Sequence, residues 1–249
     1  MTSNMQFYPI GERAIVVKFG SELNENTYEA VTSLSKSLKQ KPIRGTIEIV
    51  PTFTTVTIYY DPIAVLNSNQ LKTKGNLNNQ LTRSPYKIMH SILQERISNM
   101  EARPLAEYRT IKIPVCYEGD FAPDLDYVAA HNKLKKEKVI QIHTEGDYLV
   151  YMLGFAPGFP YMGGMSSEIA TPRRKKPRSL VSSGSVGIAG EQTGIYSIDS
   201  PGGWQIIGRT PFKLFKPKEE QPTLFQAGDR IQFYPISLEE YAEIEEKQK

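Results

Sequence analysis

Hydrophobic positions change their rhythm near residue 105 of the chain. Before that point, strand-like runs alternate with stripes at helical spacing. Ala14 to Phe19 is a β-rich apolar run. Val31, Leu34 and Leu38 then recur at intervals that put them on one helical face, behind Asn24 or Asn26 as the capping residue. Thr46 to Val50 and Phe53 to Tyr60 read as two strands divided by a Pro51-Thr52 turn. Residues 67–82 are rich in Asn, Lys and Ser and predict an exposed loop. Ser84 before Pro85 is a cap followed by proline in the first turn, and Met89, Ile92, Leu93, Ile97 and Met100 continue that helix along one face. The order β-α-β-β-α predicts a small ferredoxin-like α+β domain over residues 1–104, with the apolar stripes as its core.

Residues 105–249 predict a second domain of another texture. Ile111, Ile113 and Val115 alternate as in a half-buried strand, and Asp124 opens a short helix carrying Leu125, Val128 and Ala129. Val139, Ile140 and Ile142 mark a further helix. Glycine-punctuated short strands follow at Tyr148 to Leu153, Val186 to Ala189, Ile195 to Ile198, Trp204 to Ile207, Lys213 to Phe215 and Arg230 to Tyr234. Many short strands with turn signals between them predict a closed or nearly closed β-barrel. A surface helix is expected after Ser237.

Composition narrows the function classes. A hydrophobic fraction of 39% and a charged fraction of 23% in 249 residues describe a folded globular chain, long enough for one large domain or two modest ones. A net charge of +3 is too weak to argue for nucleic acid, which needs a concentrated basic face. Cys116 is the only cysteine, which excludes an intrachain disulfide and a cysteine-rich zinc site. His90, His131 and His143 show no metal-binding spacing, so no metal is expected. No run approaches the roughly 20 apolar residues of a membrane span, and the start lacks a basic-then-apolar signal, so a cytoplasmic chain is expected.

Candidate chemistry concentrates in residues 154–210. Gly154 to Gly164 mixes glycines, prolines, Phe155, Phe159 and Tyr161. Such a rigid segment either presents aromatic faces as a pocket wall or packs as a turn that closes the barrel. Pro172 to Arg178 gathers five cations, Arg173, Arg174, Lys175 and Lys176 between two prolines and Arg178 just after the second. The run as a whole reads as a solvated basic loop, while one or two of its arginines fit a carboxylate or phosphate. Glycines at 184, 187 and 190 either cradle an oxyanion or form tight barrel corners. The segment matches neither a Walker A loop nor a dinucleotide fingerprint. Gln192 and Thr193 are expected at a hairpin tip, within reach of an amide. Trp204 reads as core filler, and Arg209 as either a structural partner or a substrate ligand. Ser183 and Ser185 stand far from His143 in sequence, so no nucleophile–base pair is assigned and the catalytic residues are unknown.

Taken in order, GFAPGFPYMGGM, ATPRRKKPR, SGSVGIAGEQTGIYSIDSPGGW and IIGRTPFKLF resemble the small subunit of the bacterial 5-oxoprolinase and allophanate hydrolase subunit 1 family. IPVCYEGDFAPDLDYVA and HTEGDYLVYMLGF add to the resemblance. Relatives in that family include a sporulation-kinase inhibitor and a segment of urea carboxylases. The resemblance implies a small α/β domain followed by a cyclophilin-like barrel. It also implies pairing with a larger, also cyclophilin-like subunit and a third component, which together hydrolyse 5-oxoproline to glutamate using ATP. No cofactor is assigned to this chain; ATP belongs to the assembly. On this reading Arg173, Arg174 and Arg178 hold an anion, Tyr161, Gln192 and Thr193 orient an amide, Ser185 and Arg209 are further candidate ligands, and Phe155 and Phe159 exclude water. The alternatives are a regulatory protein that blocks a sensor histidine kinase, or a subunit related to allophanate hydrolase or urea carboxylase. Prolyl isomerisation rests on the fold alone, and fold does not fix function.

Overall fold

Asn24, rather than Asn26, starts the first helix: its side chain accepts the Thr27 backbone N–H at 2.9 Å and caps α1 (Glu25–Gln40). In this computed structural model, which describes residues 5–21, 24–68, 84–100 and 109–248, α1 belongs to the first of two units, Met1–Ala106. Its stripe of Val31, Leu34 and Leu38 joins a core with Ile15, Val17, Val56, Ile58, Met89 and Leu93. The strands are β1 (Gln6–Ile10), β2 (Ala14–Lys18), β3 (Thr46–Pro51) and β4 (Thr55–Tyr60). They form an antiparallel sheet in the order β1-β2-β4-β3. Asp61 caps the short α2 (Pro62–Leu66), and Ser84 caps α3 (Pro85–Ser98), with proline leading each helix.

β1 was not expected from the pattern. Its residues are almost all exposed and include Pro9, so backbone pairing with β2 rather than apolar alternation makes it a strand. A ferredoxin-like order places a strand that follows the second long helix beside the first strand of the β-α-β unit. Among the described residues that position beside β2 is taken by β1, which precedes α1. Most of the expected 67–82 loop lies outside the described residues.

The second unit, Glu107–Lys249, contains a closed seven-stranded barrel. Its strands are β5 (Thr110–Cys116), β6 (Tyr148–Leu153), β7 (Pro160–Gly163), β9 (Ser185–Ala189), β10 (Gln192–Ile195), β12 (Gln205–Arg209) and β13 (Arg230–Ile236). They run in the order β10-β7-β6-β13-β5-β12-β9, and β5 and β13 lie parallel. β8 (Arg178–Val181) and β11 (Ser200–Gly202) make a separate two-stranded sheet. Helices α4 (Leu125–His131) and α5 (Lys136–Glu145) cover apolar side chains, and α6 (Leu238–Glu246) starts with a Ser237–Glu240 capping box. Ile113, Val115, Val150, Met162, Val186, Ile188, Ile207 and Phe233 share one core. Just after β7, Gly164 takes φ +99°, and a Cβ there would lie 2.3 Å from the Asp147 carbonyl oxygen, so only glycine fits this close approach. The class is therefore α+β with a closed barrel, in agreement with the cyclophilin-like barrel that the resemblance implied.

Several local expectations differ from the structure. Pro160 to Gly163, read as part of a loop, is β7, paired on both sides. The strand expected at Ile195 to Ile198 begins earlier, at Gln192, and ends at Ile195. Lys213 to Phe215 forms no strand beyond an isolated bridge from Phe215 to Thr223. Gln192 and Thr193 are strand residues rather than a hairpin tip; the turn is Gly190-Glu191, with Gly190 at φ +61°. Barrel closure provides pairing partners that a single segment's pattern does not reveal.

Candidate functional site

The loop from Gly154 to Gly158 separates two phenylalanines. The Ala156 N–H donates to the Gly154 carbonyl at 2.8 Å, and the Phe159 N–H donates to the Ala156 carbonyl at 3.1 Å. Gly158 takes φ +77°, and a Cβ there would crowd the Leu214 carbonyl oxygen at 3.2 Å. Phe155 takes φ +67°, a conformation that costs an L-residue roughly 1–2 kcal/mol. The turn sends Phe159 inward, at 2% exposure, and leaves Phe155 66% exposed.

Phe159 is the hub of an aromatic platform. Its ring makes edge-to-face contacts with Phe155 at 5.5 Å, Tyr161 at 5.1 Å, Tyr196 at 5.6 Å and Trp204 at 5.7 Å. Val181, Ala189 and Ile206 complete this cluster, which is separate from the barrel core. Trp204 is core filler, as expected, but its ring also carries a cation. The Arg173 guanidinium carbon lies 5.9 Å from the ring centroid, and Arg173 is exposed.

The basic run divides in two. Arg174 donates from Nη1 to Asp124 Oδ1 at 2.7 Å, and Arg178 donates from Nη1 and Nη2 to both carboxylate oxygens at 2.8 Å. The Ile206 backbone N–H gives Asp124 Oδ2 a further bond at 2.7 Å. The anion beside Arg174 and Arg178 is thus the protein's own buried carboxylate. Arg174 keeps one buried donor, Nε, without a protein partner. Arg173, Lys175 and Lys176 make no ion pair among the described residues. Arg209 is a structural partner: Nε donates to the Ser183 carbonyl at 3.1 Å, and the guanidinium lies over Phe121.

Inside the barrel unit a different polar group forms. His143, fully buried, meets the Tyr117 hydroxyl through Nδ1 at 2.8 Å and the Thr193 hydroxyl through Nε2 at 3.0 Å. The Thr193 hydroxyl also lies 3.1 Å from the Gly187 carbonyl oxygen, to which it donates. Burial pushes the His143 pKa down to about 3 and raises that of Tyr117, so the ring is neutral and the phenol protonated. One proton assignment satisfies the chain: Tyr117 donates to Nδ1, Nε2–H donates to Thr193, and Thr193 donates to Gly187. His143 then has no lone pair to accept the Thr193 proton, and the three side chains form no nucleophile–base pair. Ser183 donates its hydroxyl to the Ser197 carbonyl instead.

Of the residues singled out in the sequence, Phe155, Phe159, Tyr161 and Arg173 gather around Trp204 and Tyr196. Arg174 and Arg178 sit behind them on Asp124. Thr193 and Ser185 are buried in barrel strands, and Gln192 opens β10 opposite Ala189. Asp124 was read only as a helix start, yet its side chain caps nothing in α4. Its arginine partners lie 50 and 54 residues away, beyond any local signal. A cavity of about 600 Å³ lies elsewhere, where the end of α5 meets β13, lined by residues such as Lys112, Glu145, Asp147 and Gln232. Among the described residues no cluster of His, Cys, Asp and Glu suits a metal ion, and no helix is long and apolar enough to cross a membrane.

The family described as carboxyltransferase domain, subdomain C and D, matches residues 5–225, and the chain belongs to it. Within that family it groups with proteins named as the B subunit of 5-oxoprolinase, as the ordered motifs implied. It is 44% identical over 241 residues to the one from Bacillus subtilis (strain 168), covering 97% of each chain. It is 36% identical over 231 residues to the one from Escherichia coli O157:H7, covering 92% of this chain and 94% of the relative. The crystal structure of the K. lactis urea amidolyase superposes with a TM-score of 0.70 at 21% identity, over 98% of this chain and 15% of that one. At that identity the likeness is one of fold.

Proposed function

We propose that the chain is a subunit of an ATP-dependent 5-oxoprolinase, in which 5-oxoproline is opened to glutamate while ATP is cleaved to ADP and phosphate. The chain works with a larger cyclophilin-like subunit and a third component, in the cytoplasm, and is inactive alone. Its contribution is the face made by Phe155, Phe159, Tyr161, Trp204 and Arg173, which meets the larger subunit across the substrate. The chemistry suits the ligand. 5-Oxoproline carries a carboxylate, which a guanidinium binds through paired hydrogen bonds, and a small lactam ring, which aromatic walls shield from water.

The observation that carries this reading is Arg173, a cation without an ion-pair partner among the described residues, held over an aromatic platform in a chain that groups with 5-oxoprolinase B subunits. The satisfied Tyr117–His143–Thr193 chain supports placing the remaining chemistry on partner subunits. Reconstitution tests the proposal. 5-Oxoproline-dependent ATP hydrolysis is measured with all components and then without this chain. Loss of turnover on omission is expected, and unchanged turnover overturns the reading.

A further inference from the structure

Asp124 is 3% exposed, and its two oxygens accept four hydrogen bonds from Arg174, Arg178 and Ile206. Desolvating a carboxylate costs several kcal/mol, and the attraction of its partners offsets that cost only when its lone pairs are satisfied in good geometry. Here they are. The partners come from two other parts of the chain, so the carboxylate ties the start of α4 to the basic run and to β12. Two more bonds pin the run itself. Gln205 Nε2 donates to the Pro172 carbonyl at 2.9 Å, and the Arg174 N–H donates to the Gly203 carbonyl at 2.7 Å. Arg173 stands between these anchors. With Arg174 drawn inward onto Asp124, Arg173 projects over Trp204 into solvent.

We infer that Asp124 is a positioning residue of the ligand site: by taking Arg174 and Arg178 as internal partners, it presents Arg173 as the residue of the run that binds the substrate carboxylate. The identity of that substrate rests on the function proposed above. The assignment separates three neighbouring arginines by role. Arg173 touches ligand, whereas Arg174 and Arg178 hold the segment on Asp124. Lys175 and Lys176 are exposed.

Two measurements test it, one of which does not depend on the substrate. Trp204 is the only tryptophan, so its fluorescence in the full chain reports the surroundings of Arg173. Arg173 raises the local concentration of an anionic quencher. Iodide quenching relative to acrylamide therefore falls about twofold on Arg173→Ala in the wild-type chain, and changes little on the same substitution in the Asp124→Asn chain, where Arg174 and Arg178 lose their carboxylate and add positive charge of their own. In the reconstituted assembly, Arg173→Ala raises KM for 5-oxoproline about tenfold or more with little change in kcat, because a ground-state carboxylate contact is lost. Asp124→Asn raises KM comparably, and the double variant is no worse than Arg173→Ala alone. Arg178→Gln keeps the Asp124–Arg174 pair and gives a smaller rise, which decides the matter should Asp124→Asn fail to fold. A full twofold fall on Arg173→Ala in the folded Asp124→Asn chain, or in Arg178→Gln should the former not fold, overturns the positioning role, as does a double variant whose effects on KM multiply. A wild-type assembly that does not turn over 5-oxoproline instead removes the substrate, leaving the quenching experiment to decide the role of Asp124.

Discussion

In the barrel interior, Tyr117, His143 and Thr193 pass hydrogen bonds along until the Gly187 carbonyl takes the last one. At the aromatic face, Arg173 ends over a ring and in solvent, and Phe155 is held outward on a left-handed backbone. Both regions contain residue types that sequence reading associates with catalysis or binding. The difference lies in satisfaction. A buried polar chain whose every donor has an acceptor specifies a fold. A cation with no ion-pair partner among the described residues, on a platform that also carries an exposed aromatic, leaves interaction capacity for something outside the chain. Asp124 joins the two kinds of region, because its fully satisfied buried carboxylate holds the neighbours of an arginine that has no ion-pair partner among the described residues.

The contrast can be broken by substitutions whose effects should fall in order. Phe159→Ala removes the hub of four aromatic contacts and is expected to destabilise the chain by about 3–5 kcal/mol in urea denaturation. A loss under about 1 kcal/mol would mean that the platform is not a packed unit. His143 gives the next largest effect. Its pKa is near 6.5 when unfolded and about 3 when folded, so between those values the unfolded chain binds the extra proton. Its contribution is therefore fully present above pH 6.5 and is lost as pH falls toward 3, at about 1.4 kcal/mol per pH unit. His143→Phe should lack this part of the slope between pH 6 and pH 4. Equal slopes in the two proteins would show that His143 is not held neutral.

Phe155→Gly is expected to have the smallest effect on the isolated chain. Relief of the left-handed strain is opposed by the larger backbone entropy of glycine when unfolded, so stability stays within about 0.5 kcal/mol. The same substitution should weaken 5-oxoproline-dependent turnover of the assembly, because a 66% exposed ring at the proposed interface is removed. Undiminished turnover would confine Phe155 to a local packing role.

Sequence pattern anticipated the parts of the fold that depend on short-range physics. A cap at Asn24 or Asn26, a cap at Ser84 with Pro85 as a helix start, the helix after Ser237, and the strand Tyr148 to Leu153 follow from interactions within a few residues, and the structure selects Asn24. β1 and β7 were missed because backbone pairing, not side-chain alternation, makes them strands. At the site, the aromatic loop and the basic run stood out through composition. The division of labour inside the run did not, since Asp124 looks in sequence like any helix-opening aspartate.

By itself, then, the sequence determined the α+β class, the barrel texture, the family and the stretch that carries candidate chemistry, because spacing, capping and glycine placement act locally. Only the tertiary structure decided which residues face outward. Closure of the barrel buried Thr193 against His143, and it brought Asp124 to arginines 50 and 54 residues away. Charge pairing across such distances depends on where strands meet, and no periodicity along the chain encodes that meeting. Arg173 was one cation among five until Asp124 was found holding two of its neighbours.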